Sequence, residues 1–300
     1  MLVQGSDCSI VIKTVHEEIY VPYSEETLRE AYSLLQEEAS IEGDGVCRAI
    51  RKRGGVTGCV VTPLTIGTAP VLLYLAMGSA GLPVFVSETR DIYRHRLNLL
   101  PMEDAEYFDL IQERQGSREQ VAGSKERQLY ESCRVKSFEL RIVREETIKL
   151  KLDICGEYAA VNYPYNDTVQ SQTSVIGRER FSGDYVNYKI NDKDYTNIYG
   201  LTLSVKKEGG TKTEVWIKRS LEEGDDIPSV IDELEITARL LRDKYEYRYF
   251  GMFRIKIIGL VLVSDETEIN AADSVIGPLR YYAAGNVGAE VFTEGGEGMQ

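Results

Sequence analysis

Tryptophan occurs once and histidine twice in this 300-residue chain, and no two of its five cysteines are spaced as CxxC. So few histidines leave little material for acid–base catalysis at neutral pH. His16 and His95 stand in polar, strand-like or turn-like surroundings with no Ser or Cys elbow beside them, and each reads as a surface or interface side chain. The cysteines, at positions 8, 47, 59, 133 and 155, are odd in number and widely spaced, which leaves zinc and thioredoxin-like chemistry without support. Cys133 and Cys155 read as two small buried or half-buried thiols of a reducing compartment rather than as a disulfide. The longest apolar runs, 69–77 and 257–263, are too short to span a bilayer, and the first fifteen residues lack the basic-then-apolar order of a secretion signal. The sequence thus predicts a protein made in the cytoplasm, soluble there, with no membrane partner. The glycine clusters GGVTG (54–58) and GSAG (78–81) lack the lysine and glycine spacing of phosphate loops and read as turns. Basic excess is missing too: 48 acidic residues against 35 basic give a net charge of −13, a surface that repels nucleic acid.

What is present is strand patterning. Residues 130–156 alternate between apolar and charged side chains across two strands and a short turn. Phe138, Leu140 and Ile142 share a face with Ile148, Leu150, Leu152 and Ile154, while Glu139, Arg141, Lys149, Lys151 and Asp153 take the other. A period of two over this length predicts a half-buried antiparallel hairpin, with Cys133 and Cys155 one on each strand. A second hairpin is expected from 234–241, where Leu234, Ile236, Ala238 and Leu240 share a face with Glu235 and Arg239 opposite, paired to 252–263. Its return strand carries Phe253 and Ile255, then IIGLVLV from 257, which is apolar on both faces and so predicts cover on both sides. Further strands are expected at 9–15, 84–88, 93–99, 107–113, 186–190, 199–205 and 213–218. Tyrosine at 19, against 7 Phe and 1 Trp, agrees with strand-rich structure and wet interfaces.

One helix is predicted. Thr68 stands at its N-cap, Pro70 in its first turn and Gly78 at its stop, around the apolar run 69–77. Leu28, Tyr32 and Leu35 also recur at helical spacing, and 25–38 reads as a short surface helix. Segment 115–125 reads as a polar loop, 157–180 as an arm, and 284–300 as a partly disordered tail. The chain is thus expected to be a single unit, with β regions at 1–156 and 181–283. Carboxylates cluster at Glu103, Asp104, Glu106 and Asp109, at Glu222, Glu223, Asp225 and Asp226, and at Asp265, Glu266 and Glu268, with no pair set apart for glycoside chemistry. Asn191, Asp192 and Asp194 resemble the opening of a calcium loop without its glycine and distal glutamate. No catalytic residue, metal ligand or cofactor is expected.

The order of elements resembles the tail tube, or major tail, proteins of long-tailed phages. The resemblance rests on GGVTGCVVT, an apolar helix ending in LxxAMGS, strands leading to a polar loop, and YESCRVKSFELRIVREETIKLKLDICGE, followed by FSGDYVNYKINDKDYTNIYGLTLSVKKEGG and IDELEITARLLRD. It spans roughly 56–263 and contains no catalytic signature. It implies a mainly β protein, an antiparallel β-sandwich or barrel with long hairpins and one short flanking helix. It also implies a virion component, not an enzyme. Its hexameric rings would stack into a hollow tail tube, meet the tape measure, tail terminator and baseplate proteins, and let DNA pass without specific binding. On this resemblance Phe138, Leu140, Ile142, Ile148, Leu150, Leu152, Ile236, Leu240, Phe253 and Ile255 belong to the ring-forming hairpins. Glu139, Arg141, Lys149, Lys151, Asp153, Glu235 and Arg239 would be lumen or inter-subunit charges, and 115–125 and 157–180 ring-to-ring contacts. A tail-end or baseplate ring of the same fold is the alternative expectation. A soluble β-rich carbohydrate-binding module or hydrolase is the alternative from another class, left open by tyrosine clusters that read first as interface and sheet packing.

Overall fold

The computed structural model describes residues 8–14, 18–36, 49–87, 92–115, 125–161, 179–220, 226–244, 247–265 and 275–294. In chain order its elements begin with β1 (Cys8–Lys13), β2 (Glu18–Val21), β3 (Glu25–Glu26), β4 (Arg29–Gln36), β5 (Ala49–Pro63) and the helix α1 (Ala69–Met77). They continue with β6 (Gly78–Ala80), β7 (Val84–Ser87), β8 (Ile92–Leu99), β9 (Phe108–Gln115), β10 (Lys125–Val143), β11 (Lys149–Gly156) and β12 (Tyr158–Val161). The remainder are β13 (Val186–Ile190), β14 (Lys193–Tyr195), β15 (Ile198–Lys206), β16 (Lys212–Ser220), β17 (Val230–Lys244), β18 (Tyr247–Asp265), β19 (Val275–Ala283) and β20 (Val287–Glu294).

The fold is mainly β and antiparallel, in keeping with a sandwich or barrel-like architecture. One run of pairing leads from β4 through β5, β11, β10, β15, β16, β19, β18 and β17 to β13 and β14. A second branch leaves β18 for β20, β8, β6 and β7. A third leaves the first half of β10 for β12 and for β9, β1 and β2. The pairing branches but never returns to its start, so the sheet is not closed. The branch at β18 has a local cause. Residues 284–286 kink the chain between β19 and β20, with the Ala284 and Gly285 amides donating to Gly259 O and Ile258 O at 2.8 and 3.1 Å. A Cβ on Gly285 would lie 2.5 Å from Ile258 O, so only glycine allows that approach. Past the kink β20 pairs with β8, whereas β19 pairs with β16.

The core lies between the folded-over sheets. The inward residues of β10 and β11, with Leu203, Val215, Tyr281, Ile236, Phe253, Ile255 and Val291, are buried in one cluster with α1. The helix is buried on eight of its nine residues. It starts after Thr68 with proline in its first turn and stops at Gly78, whose φ of 105° suits glycine alone. Lys207 reaches the helix end from the β15–β16 turn: it is fully buried and its Nζ donates to Ala76 O at 3.2 Å, a cation on the negative end of the helix dipole.

Several expectations are corrected. Residues 25–36 form strands rather than a surface helix, because β4 finds a ladder partner in β5, and packing overrides a helical spacing that Leu28, Tyr32 and Leu35 also satisfy. The glycines of 54–58 do not make a turn but lie inside the continuous strand β5. There a Cβ on Gly58 would meet Thr27 O at 2.5 Å and one on Gly55 would meet Gly156 O at 2.5 Å. In the supposed arm, 158–161 form β12 on the edge of β10. In the supposed tail, 287–294 form β20, sandwiched between β18 and β8, with Val287, Ala289 and Val291 alternating into the core. Strand pairing also runs across the two β regions, β10 with β15 and β8 with β20. His95 is a core residue, not a surface one: burial lowers its pKa and its Nε2 lies 3.0 Å from Thr293 Oγ1. His16, most of loop 115–125, 162–178 of the arm and the segment 295–300 lie outside the described residues.

Candidate assembly surfaces

The outward face of the long sheet is a graded surface. Val61, Lys151, Glu139, Ser204, Glu214, Tyr282, Val261 and Val230 are successive cross-strand partners from β5 to β17. Seven interstrand steps make this row roughly 34 Å long. Its first half is charged and lies in a cleft of about 620 Å³ that Lys136, Lys151, Lys206 and Lys212 line with Glu139, Asp153, Glu208 and Glu214. Much of this charge is paired within the chain: Lys151 with Asp153 at 3.7 Å, Lys136 with Glu208 at 4.0 Å, Arg280 with Glu214 at 2.9 Å. Ser137 Oγ donates to Asp153 at 2.6 Å, and Arg141 pairs with Glu146 at 3.6 Å. The face is therefore balanced in charge, as the mixed signs in the sequence predict. The far half of the row is apolar: Val230, Val261 and Tyr282, with Val263 and Ile258, remain exposed. The expected cover on both faces of the 257–263 run is thus met inside, where Ile257 and Leu260 are buried, and missing outside.

The second outward face carries an alternating ion-pair ladder. Lys256 bridges Glu233 and Glu235 at 2.8 and 3.2 Å, Arg254 bridges Glu235 and Glu290 at 3.4 and 3.3 Å, and Arg94 and Arg96 approach Glu290 at 3.8 and 3.5 Å. Burial raises the Glu235 carboxyl, and the Lys256 and Arg254 cations reverse this, leaving it below the usual carboxylate range. Arg239 stays exposed on β17.

The structure separates the expected site residues into two groups. Phe138, Leu140, Ile142, Ile148, Leu150, Leu152, Ile236, Leu240, Phe253 and Ile255 are all buried in the core of one chain. They hold the hairpins in place and do not themselves reach a neighbour. Glu139, Arg141, Lys149, Lys151 and Asp153 share the outward face of β10 and β11, and Glu235 lies on the ladder of the other face.

Two features escaped the sequence reading. From Ala31 paired with Gly54 to Gln36 paired with Ala49, β4 and β5 run on as a two-stranded ribbon, since β11 reaches only Val56. From Leu240 paired with Gly251 to Lys244 paired with Tyr247, β17 and β18 do the same, beyond the last partners that β13 and β20 supply at Ala238 and Met252. At about 3.3 Å per residue each ribbon runs on for roughly 15 to 20 Å, the second from a base at Leu240 and Gly251 that is still buried beside Ile66 and Phe181. Among the described residues, both edges of both ribbons are unpaired. The long strand signal of 247–265 was available for the second; the helical spacing in 25–38 hid the first.

Comparison with protein-family models matches no family, and comparison with characterised proteins finds no relative.

Proposed function

We infer that the chain is a structural subunit that assembles into hexameric rings, stacked into a hollow tube of the phage tail type through which DNA passes unbound. The observation that carries this reading is the pair of projecting ribbons. A lone two-stranded ribbon is marginal in water, and its unpaired N–H and C=O rows are templates for another strand. Neighbouring copies placed around an axis supply those strands to one another, and closure of the resulting barrel leaves no edge exposed. The core residues of the hairpins fit this role by rigidifying the base of each ribbon, while the ribbon edges make the contact. The net charge of −13 suits a conduit that repels a phosphate backbone. To test the reading, residues 242–249 are replaced by Asn-Gly, which closes β17 and β18 at the sheet margin with a tight turn. The shortened chain should fold with native circular dichroism yet sediment as a monomer under conditions where the native chain forms rings. Rings of unchanged mass from the shortened chain would remove the β17–β18 ribbon from the contact.

A further inference from the structure

Among the described residues, two clusters of exposed apolar side chains stand apart from the ribbons and from each other. The first is the exposed patch on the outward face, Val230, Ile258, Val261, Val263 and Tyr282, with Val261 48% and Val263 60% exposed. The second is the outer strand made by β6 and β7, which pairs with β8 on one side only among the described residues. Its side chains protrude: Leu82 is 91% exposed, and Val84, Phe85 and Val86 are each about half exposed on both faces of the strand. Phe85 is held edge-on against Tyr93, with ring centroids 5.3 Å apart, so the knob has a fixed shape.

The register of β18 fixes their separation. β7 joins β8 at Tyr93 and Arg94, β8 joins β20 at Phe292, and Phe292 pairs with Met252 of β18. The patch begins at Ile258 and extends past Val261. The six residues from Met252 to Ile258 amount to about 20 Å of strand, and β7 lies a further three strands from β18 across β8 and β20, so one chain does not seat its own knob on its own patch. The charges beside them differ. Asp232 and Asp265, two residues along the strands from Val230 and Val263, are exposed, while Asp226 is paired with Arg219 at 3.0 Å; Arg94 and Arg96 flank the knob and share Glu290 with Arg254. Arg96 is 64% exposed and its carbonyl accepts from the Gly81 amide, directly beside Leu82.

We propose that the β6–β7 knob of one copy seats on the Val230–Val261–Tyr282 patch of the next, a head-to-tail contact between copies of this chain. It rests on the self-assembly reading above. Because the two surfaces are different and lie on separate strands of the sheet, the contact is heterologous: it propagates from copy to copy instead of ending at a pair. The apolar pairing supplies the attraction, while the acidic and basic rims fix its direction. It also explains why the 257–263 run carries apolar residues on both faces although one chain covers only one.

The test uses two full-length variants, V261D/V263D with the patch spoiled and F85D/V86D with the knob spoiled. All four sites are surface positions, and Trp216 emission with circular dichroism checks the fold. If either aspartate variant misfolds, V261T/V263T and F85S/V86S replace them. Under conditions where the native chain assembles, each variant alone should stop at a smaller species. An equimolar mixture retains one intact knob-to-patch pair and should give a species of twice that mass in sedimentation velocity. Variants that assemble as the native chain does would overturn the contact and leave the ring reading standing. Blocked variants that mixing fails to rescue would overturn the pairing of these two surfaces. A native chain that stays monomeric throughout would overturn both.

Discussion

Replacing Lys207 with methionine tests the link between the β15–β16 turn and the helix. The side chain is fully buried, donates to Ala76 O and has its pKa lowered by desolvation from 10.5 to about 8. Below that pH both folded and unfolded chains hold the proton, and the folded state bears the cost of a buried charge. Between about 8 and 10.5 the folded chain gives up the proton while the unfolded chain keeps it. The unfolded state then binds more protons, so this residue makes stability rise with pH across that window. A shift of that size corresponds to about 3 kcal/mol. At pH 7 the methionine variant loses a hydrogen bond from a charged donor, about 1.5 to 3 kcal/mol, and escapes a desolvation cost of similar size, so the two proteins should be close in stability. By pH 10.5 the native chain should be ahead by about 3 kcal/mol. The assay is urea unfolding of monomeric protein at several pH values, followed by Trp216 fluorescence. Cys133, Tyr74 and Tyr188, whose pKa values burial pushes up, act in the opposite sense and cancel in the difference. A difference that stays constant from pH 7 to 10.5 would refute the assignment.

Three further outcomes follow from the geometry. Gly58→Ala should cost more than about 2 kcal/mol, because the new Cβ meets backbone atoms at 2.5 to 2.7 Å, whereas Gly209→Ala, at φ +71° with nothing within 4 Å, should cost only about 1 kcal/mol; urea midpoints give both values. Leu152→Ala removes a core side chain and should cost about 2 to 5 kcal/mol, whereas Lys151→Ala on the opposite face should change stability by less than about 1 kcal/mol, read from the same curves. The Cys133 thiol, buried and held protonated by burial, should resist alkylation in the folded chain until denaturant is added, with half-buried Cys59 and Cys155 reacting before it; mass spectrometry of labelled peptides decides it.

The hairpins were legible in the sequence because a single buried face imposes a period of two, as Phe138, Leu140 and Ile142 show. The helix was legible from Thr68, Pro70 and Gly78, which mark its ends for separate physical reasons. β4 was not, because Leu28, Tyr32 and Leu35 fit a helix as well as a strand and the choice depends on β5, whose own glycines disguised it as a turn. Those glycines serve close backbone approach, which sequence cannot distinguish from reversal. β20 was hidden by its acidic, glycine-rich setting, although Val287, Ala289 and Val291 do alternate. The charged face of the first hairpin was read residue by residue; that its charges pair mainly within the chain depends on β15, β16 and β19, which lie far away in sequence. The projecting ribbons are visible only where neighbouring strands stop.

The measurement that bears most directly on the tube-forming role is negative-stain electron microscopy of the purified chain over a concentration series, with its mass determined on the same samples. Rings and hollow tubes are expected, with an open lumen and a mass that grows by whole rings. A monomer at every concentration, with no ring or tube in any field, would contradict that role.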